Sequence, residues 1–229
     1  MLIAIIAAMK EETSFLISRL SNPNEIPFFH YVFYKGKIGN HEVVIVQGGV
    51  GKTASGMLIT ALMTQFPLVD VVINVGVAGG VAQKTQVGDI VVSDKILYGD
   101  VDLTDAGNYQ FGQMSGCPKH FTSNSLVLKT IKKRVDCLFG DIISSDRFMV
   151  DRLASNNLIS KYFSDYNVLC FDMESAAFAH ACYVFNKPFL AIRAISDIIG
   201  ENLHDEFSKN LDVACLKSNL FMISVIENL

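Results

Sequence analysis

Four ionisable side chains, Glu12, Glu174, Arg193 and Asp197, stand where apolar stretches of the sequence give way to turns or helices. Glu12 comes just after "LIAIIAAMK", Glu174 comes after "VLCFDM", and Arg193 and Asp197 interrupt and end the run "FLAIRAIS". An arginine inside an otherwise apolar strand must meet a carboxylate or a polar cavity, because an unpaired buried charge is strongly destabilising. Three carboxylates and one arginine beside Met, Phe and Val side chains are costly for folding alone. Surroundings that push carboxylate pKa values apart suit general acid–base chemistry. Each feature also has a plainer explanation. Glu11, Glu12 and Glu174 would favour a helix N-terminus by about 0.3–1 kcal/mol. "GVAGG" at 76–80 would serve as a tight turn, and Phe148 and Met149 as core.

A second stretch, "VIVQGGVGKTASG" at 44–56, has the look of a phosphate-cradling loop. Its spacing excludes that. The P-loop pattern needs a glycine five positions before the one preceding the lysine, and that position is Val46. The turn is too tight to wrap a triphosphate. It reads instead as a strand-to-helix turn in which glycines permit unusual backbone angles, with Lys52 as a helix-start residue.

The elements that must position these residues alternate. Strands are predicted at 2–7, 30–35, 41–47, 71–77, 89–93, 141–145, 168–172 and 189–195, and helices at 10–20, 52–65, 124–134, 173–185 and 205–227. "YVFYKGKIGNHEVVIV" predicts a hairpin turning near 37–40. Continuous β-branched runs belong to strands covered on both faces. The alternation predicts an α/β fold with a mixed, largely parallel sheet, whose ligands sit outside the carboxyl ends of the strands.

Composition bounds the rest. No linker, charge block or repeat divides the 229 residues, so a single domain over 1–229 is expected. A net charge of −4 with scattered Lys and Arg offers no nucleic-acid footprint. "KTIKKR" at 129–134 reads as a solvated helix face. Mean hydropathy is positive. Yet the longest apolar run, near 71–82, is broken by Asn74 and glycines and falls short of the roughly 20 residues that span a bilayer. The N-terminus lacks the basic segment of a signal peptide. Five cysteines at irregular spacing read as reduced thiols in a cytoplasmic protein. The five histidines are dispersed, so no metal is expected.

The ordered set "AAMKEE", "GGVGK", "GVAGG", "GDIVVSD", "GCP", "DMESAAFAHAC" and "RAISD" resembles the 5′-methylthioadenosine/S-adenosylhomocysteine nucleosidases of the nucleoside phosphorylase/hydrolase superfamily, over about residues 1–210. The resemblance implies a three-layer fold with a central twisted mixed sheet flanked by helices, no cofactor, and a homodimer. It implies Asp197 as the acid that protonates adenine N7 and Glu12 as the base that activates water. Glu174 would bind the ribose hydroxyls, with Met173 beside the sugar. Phe148 and Met149 would hold adenine, and Ala78 and Gly79 would lie under the nucleoside. Met9, Val50 and Phe207 would surround the ribose and its 5′ substituent. Arg193 and Ser196 are also expected to bind substrate, and Arg193 could supply the cationic support that keeps Glu12 ionised. Cleaving the C–N bond through an oxocarbenium-like state needs a proton for the leaving base and a base for water, the two-carboxylate logic of sugar hydrolysis. Asp197 would need a raised pKa, and Glu12 would need to stay ionised.

The sequence departs from the family pattern in places. Val77 stands where a serine is usual, and Ala106 and Ser115 where a phenylalanine and a proline reach toward a partner's pocket. Two other activities fit the same resemblance: a phosphate-dependent nucleoside phosphorylase, and a nucleosidase for another 5′-modified adenosine such as aminofutalosine. A non-catalytic nucleoside binder is a third alternative, and it predicts loss of an acid or base that this chain keeps.

Overall fold

The structure is a computed structural model. It describes the backbone of residues 1–133, 137–201 and 203–229, and the side chains of these apart from 126 and 203–207. The chain runs β1 (Leu2–Ala7), α1 (Ser14–Ser18), β2 (Ser21–Phe28), β3 (Tyr31–Ile38), β4 (His41–Gln47), α2 (Lys52–Gln65), β5 (Val71–Gly80) and β6 (Ile90–Tyr98). It continues through β7 (Phe121–Thr122), α3 (Ser125–Lys132), β8 (Leu138–Ser144), α4 (Arg152–Tyr162), β9 (Val168–Asp172), α5 (Ser175–Val184), β10 (Phe189–Ile198) and α6 (Leu203–Glu227).

Among the described residues ten strands form one mixed sheet in the order β10-β6-β8-β9-β5-β1-β4-β3-β2, with β7 beside β6. β5 and β10 also pair, in parallel, so β5, β9, β8, β6 and β10 close on themselves. β5 makes this possible by changing neighbours along its length. Its first half pairs with β1, from Val71 to Asn74, and its tip pairs with β9, at Gly79 and Gly80. The carboxyl ends of β1, β5, β9 and β10 therefore converge.

Alternation along β1 builds the layers. Ala4 and Ile6 face a core shared with Leu58 and Leu62 of α2 and Phe178 of α5. Ile3 and Ile5 face the other core, with Leu16 of α1 and Met222 and Ile226 of α6. Both faces are covered, which is why the central strands read as unbroken apolar runs. A third cluster packs α4 against Leu97, Ile143 and Phe171.

The strands 2–7, 41–47 and 168–172 and the helix 52–65 lie where the sequence puts them. Three elements escaped the pattern: β2, α4 and the two-residue β7. β2, "SNPNEIPF", carries two prolines, which an edge strand tolerates because one side of its backbone needs no partner. α4 has a weakly periodic sequence, but Asp151 caps it by accepting from the N–H groups of Leu153 (2.8 Å) and Ala154 (3.1 Å). The predicted helix at 10–20 shrinks to Ser14–Ser18. Residues 9–13 are held in a turn because the carboxylate of Glu12 takes the N–H groups of Ala8 and Met9. The end of the helix predicted at 124–134 lies outside the described residues.

Leu16 is the one buried residue of α1 and anchors the turn that carries Glu12. Leu16→Ala should lower stability by about 2–5 kcal/mol, read as a shift of the urea midpoint. An unchanged midpoint would mean that the turn is held by its hydrogen bonds alone.

Candidate active site

A cavity of ≈ 630 Å³ opens at the converging strand ends, and Glu12, Glu174 and Asp197 all line it. Each arrives by a different local device.

Glu12 is 4 % exposed. One carboxylate oxygen accepts from Ala8 N–H (3.0 Å) and Met9 N–H (2.9 Å), the other from Val77 N–H (3.1 Å). These donors and the charge of Arg193 favour the anion, but burial outweighs them and the pKa lies above the ordinary value. Gly76 makes room: a Cβ there would lie 2.5 Å from Glu12 Oε1 and 3.3 Å from Arg193 Nη1.

Arg193 and Asp197 share β10, and on a regular strand they would face the same side. A β-bulge intervenes. Arg193 pairs with Gly76 and Ile195 with Ala78, but Asp197 pairs with Gly79, leaving Ser196 as the extra residue. Asp197 lines the cavity, whereas Arg193 stays in the interior, 1 % exposed, and does not line it. Its first partner is also not Glu12, as the sequence suggested, but Asp172, reached by Nε and Nη2 at 2.9 Å each. Asp172 ends β9, which pairs with the tip of β5 at Gly79 and Gly80, while Arg193 pairs with the same strand at Gly76. Arg193 acts on Glu12 through its charge. The Ser196 hydroxyl lies 2.7 Å from Asp197 Oδ1 and 3.3 Å from the Ala78 carbonyl, so its one proton serves either.

Glu174 occupies the N-cap position of α5 yet makes no cap. Its carboxylate instead reaches the glycine turn and accepts from Gly51 N–H at 3.0 Å. Helix-dipole stabilisation alone does not account for that direction. Burial and the neighbouring charge of Asp172 raise its pKa to about 7, against the pull of Arg193 and the Gly51 bond.

The turn at 48–51 holds no anion-binding lysine. Lys52 Nζ bonds both carboxylate oxygens of Asp100 at 2.7 Å and stands 3.6 Å from Asp146. Met9, Val50, Ala78 and Gly79 line the cavity, as do Phe148, Met149, Met173 and Ser196. The side chain of Phe207 lies outside the described residues, while its neighbour Ser208 lines the cavity. Sequence reasoning missed Ala8, Arg147, Val150, Phe171 and Ser208, which carry no distinguishing pattern. It also missed Asp172, which was findable as the carboxylate that a buried Arg193 requires. Among the described residues no cluster of His, Cys, Asp or Glu could hold a metal.

Glu174 gives a pH test. Its ordinary value is 4.5 and its folded value about 7. Below about pH 4.5 it is protonated folded or unfolded; above about 7 the fold carries the penalty of a buried anion. Glu174→Gln should therefore leave stability unchanged near pH 4 but raise it by on the order of 1–3 kcal/mol near pH 8. Urea unfolding across that window checks it, and equal effects at both ends would remove burial as the cause.

The "Phosphorylase superfamily" family model matches residues 2–227. The chain is 36% identical over 232 residues, 99% of its length and 90% of the relative, to the 5′-methylthioadenosine/S-adenosylhomocysteine nucleosidase of Buchnera aphidicola subsp. Baizongia pistaciae. It superposes on the Streptococcus pneumoniae nucleosidase, solved with the transition-state inhibitor MT-ImmA, with a TM-score of 0.94 at 35% identity, covering 100% of this chain and 99% of that one. The Streptococcus pyogenes nucleosidase, solved with 5-methylthiotubericidin, gives 0.93 at 35% identity, covering 100% and 97%. With this match along its whole length and its strand ends gathered at one acidic cavity, the chain belongs to the 5′-methylthioadenosine/S-adenosylhomocysteine nucleosidase family of the phosphorylase superfamily.

Proposed function

We propose that this protein hydrolyses the N-glycosidic bond of 5′-methylthioadenosine and S-adenosylhomocysteine, releasing adenine and the 5-thio-substituted ribose. The observation that carries this is one cavity lined by both Glu12 and Asp197, each almost fully buried. Its ≈ 630 Å³ is in the range of small-molecule sites. Asp197 gives a proton to N7 of the departing adenine, and Glu12 takes one from the attacking water, so the protons balance. A base works best with its pKa moved toward the operating pH, and burial moves Glu12 in that direction. Glu174 accepts from the ribose hydroxyls and Met173 packs beside the sugar. Phe148 and Met149 hold adenine above Ala78 and Gly79. Met9 and Val50 take the 5′ side, with Phe207 assigned there by resemblance. Arg193 steadies Glu12 by its charge.

Hydrolysis is favoured over phosphorolysis by the charges present. Among the described residues four carboxylates, Glu12, Asp172, Glu174 and Asp197, line the cavity against one cation, Arg147. Arg193 and Lys52 are already bonded to aspartates. An incoming phosphate would meet mainly repulsion. Val77 brings no hydroxyl to the water side, and its N–H still holds Glu12.

The whole chain acts as one unit, and a second copy completes the cavity mouth. Val50, Phe148 and Val150 line the cavity while 55%, 50% and 43% exposed, an apolar rim that a homodimer would cover. The five free cysteines fit a cytoplasmic setting, where the activity would serve methionine salvage.

The purified protein should release adenine from both thionucleosides in phosphate-free buffer, with no acceleration by added phosphate. Asp197→Asn should lose about 10²–10⁴-fold in kcat, the usual worth of a positioned proton donor. Strict dependence on phosphate, or full turnover by Asp197→Asn, would reverse the assignment. Aminofutalosine in the same assay decides the 5′ preference.

A further inference from the structure

The lysine in the glycine turn has no role in the chemistry above, yet it joins three chain segments, two of which border the cavity. Its ammonium bonds both oxygens of Asp100, two residues beyond β6, at 2.7 Å. Its own backbone N–H donates to Asp146 Oδ1 at 2.8 Å, two residues beyond β8. The N–H of Asp146 then donates to Asp100 Oδ2 at 2.9 Å. The three residues thus close a ring of contacts. Nζ also stands 5.6 Å from the centre of the Tyr98 ring, whose hydroxyl lies 3.1 Å from Nδ1 of His180 on α5.

The glycine turn lines the cavity through Val50, and the segment after Asp146 lines it through Arg147 to Val150. Gly51, immediately before Lys52, supplies the N–H that holds Glu174. Phe148 and Met149 follow Asp146 by two and three residues and line the cavity. Gly51 has φ 97°, and a Cβ on it would lie 3.2 Å from Asp146 Oδ1, so the close approach of the two segments depends on its bare backbone. Isolated ion pairs near solvent contribute little to stability. A cation shared by two aspartates, with the backbone N–H groups of two of the three segments bonded into the same ring, is better suited to fixing their separation.

We infer that Lys52 is a positioning residue for the nucleosidase reaction: with Asp100 and Asp146 it locks the turn that holds Glu174 to the segment that carries Phe148 and Met149. The ribose side and the base side of the cavity then move as one wall. This rests on the proposed function for its kinetic consequence, though not for the coupling itself. Loss of the lock loosens substrate and transition state alike, which raises KM with little change in kcat.

The test compares Lys52→Met, Lys52→Arg and Asp100→Asn with the unmodified protein. Lys52→Met should raise KM for methylthioadenosine on the order of tenfold, with kcat within about threefold. Lys52→Arg should restore most of the loss, since a guanidinium can bridge two carboxylates. In a Glu174→Gln background, Lys52→Met should add less than about threefold, because part of its effect passes through Glu174. Hydrogen–deuterium exchange should quicken at 47–51 and at 146–150 together in Lys52→Met. Asp100→Asn should reproduce both results and stands in for Lys52→Met if that variant does not fold. Unchanged KM in an active protein, full multiplicativity with Glu174→Gln, or quickened exchange in one segment alone would overturn the proposal. An unmodified protein that releases no adenine would count against the proposed function instead, and the exchange measurement would still decide the lock.

Discussion

The site is organised around one buried ion pair. Arg193 is 1 % exposed, and Asp172 receives both its Nε and Nη2. Removing water from two charges is costly, and such pairs survive where every remaining polar position is also satisfied. Here it is: Asp172 takes the hydroxyls of Ser144 and Ser175 and the N–H of Ser175. Nη2 reaches the side chains of Asn74 and Ser175, and Nη1 reaches the carbonyls of Ile192 and Asn74. These groups belong to β5, β8, β9, β10 and the start of α5, so the pair ties together the strands that deliver Asp172, Glu174 and Asp197. Such a network does more for geometry than for net stability.

The same pair sets the electrostatics. A single guanidinium feels Asp172, Glu12 and Glu174 together. Asp172, with its direct contact, takes most of the compensation. Glu12 is left with three backbone donors, and Glu174 with one, so burial pushes both upward, Glu174 to about 7. Surplus negative charge on buried side chains is destabilising to the fold. Under the proposed function it becomes useful, because the nucleoside brings hydroxyls to donate and a base in need of a proton. The carboxylates share one cavity but differ in their partners: three backbone donors for Glu12, one for Glu174, and a hydroxyl beside Asp197.

How far this was legible differs by residue. The strands at 2–7, 41–47 and 168–172 and the residues that follow them were readable because buried parallel strands leave unbroken apolar runs, and what interrupts such a run is rarely idle. Arg193 stood out for that reason. Its partner was misjudged, since nothing in the spacing of 172 and 193 says that β9 and β10 bring their ends against the same tip of β5. The bulge at Ser196 was also invisible: alternation predicts Arg193 and Asp197 on one side, and one extra residue separates them. β2 hid behind its prolines, and the turn at 9–13 hid inside a helical pattern that Glu12 overrides by binding the backbone of Ala8 and Met9.

The glycine turn shows how the same local physics can be put to another use. A strand, a glycine turn and a helix start present N–H groups that attract anions. In a phosphate loop those groups face the ligand. Here the Gly51 N–H is occupied by Glu174 and the Lys52 N–H by Asp146, while the lysine ammonium is occupied by Asp100. The protein's own carboxylates fill the places that a phosphate would take. What the turn then offers the cavity is not positive charge but a fixed Glu174, an acceptor suited to hydroxyl groups. An anion-binding device internally neutralised in this way fits a site that must admit an uncharged sugar and water while turning phosphate away.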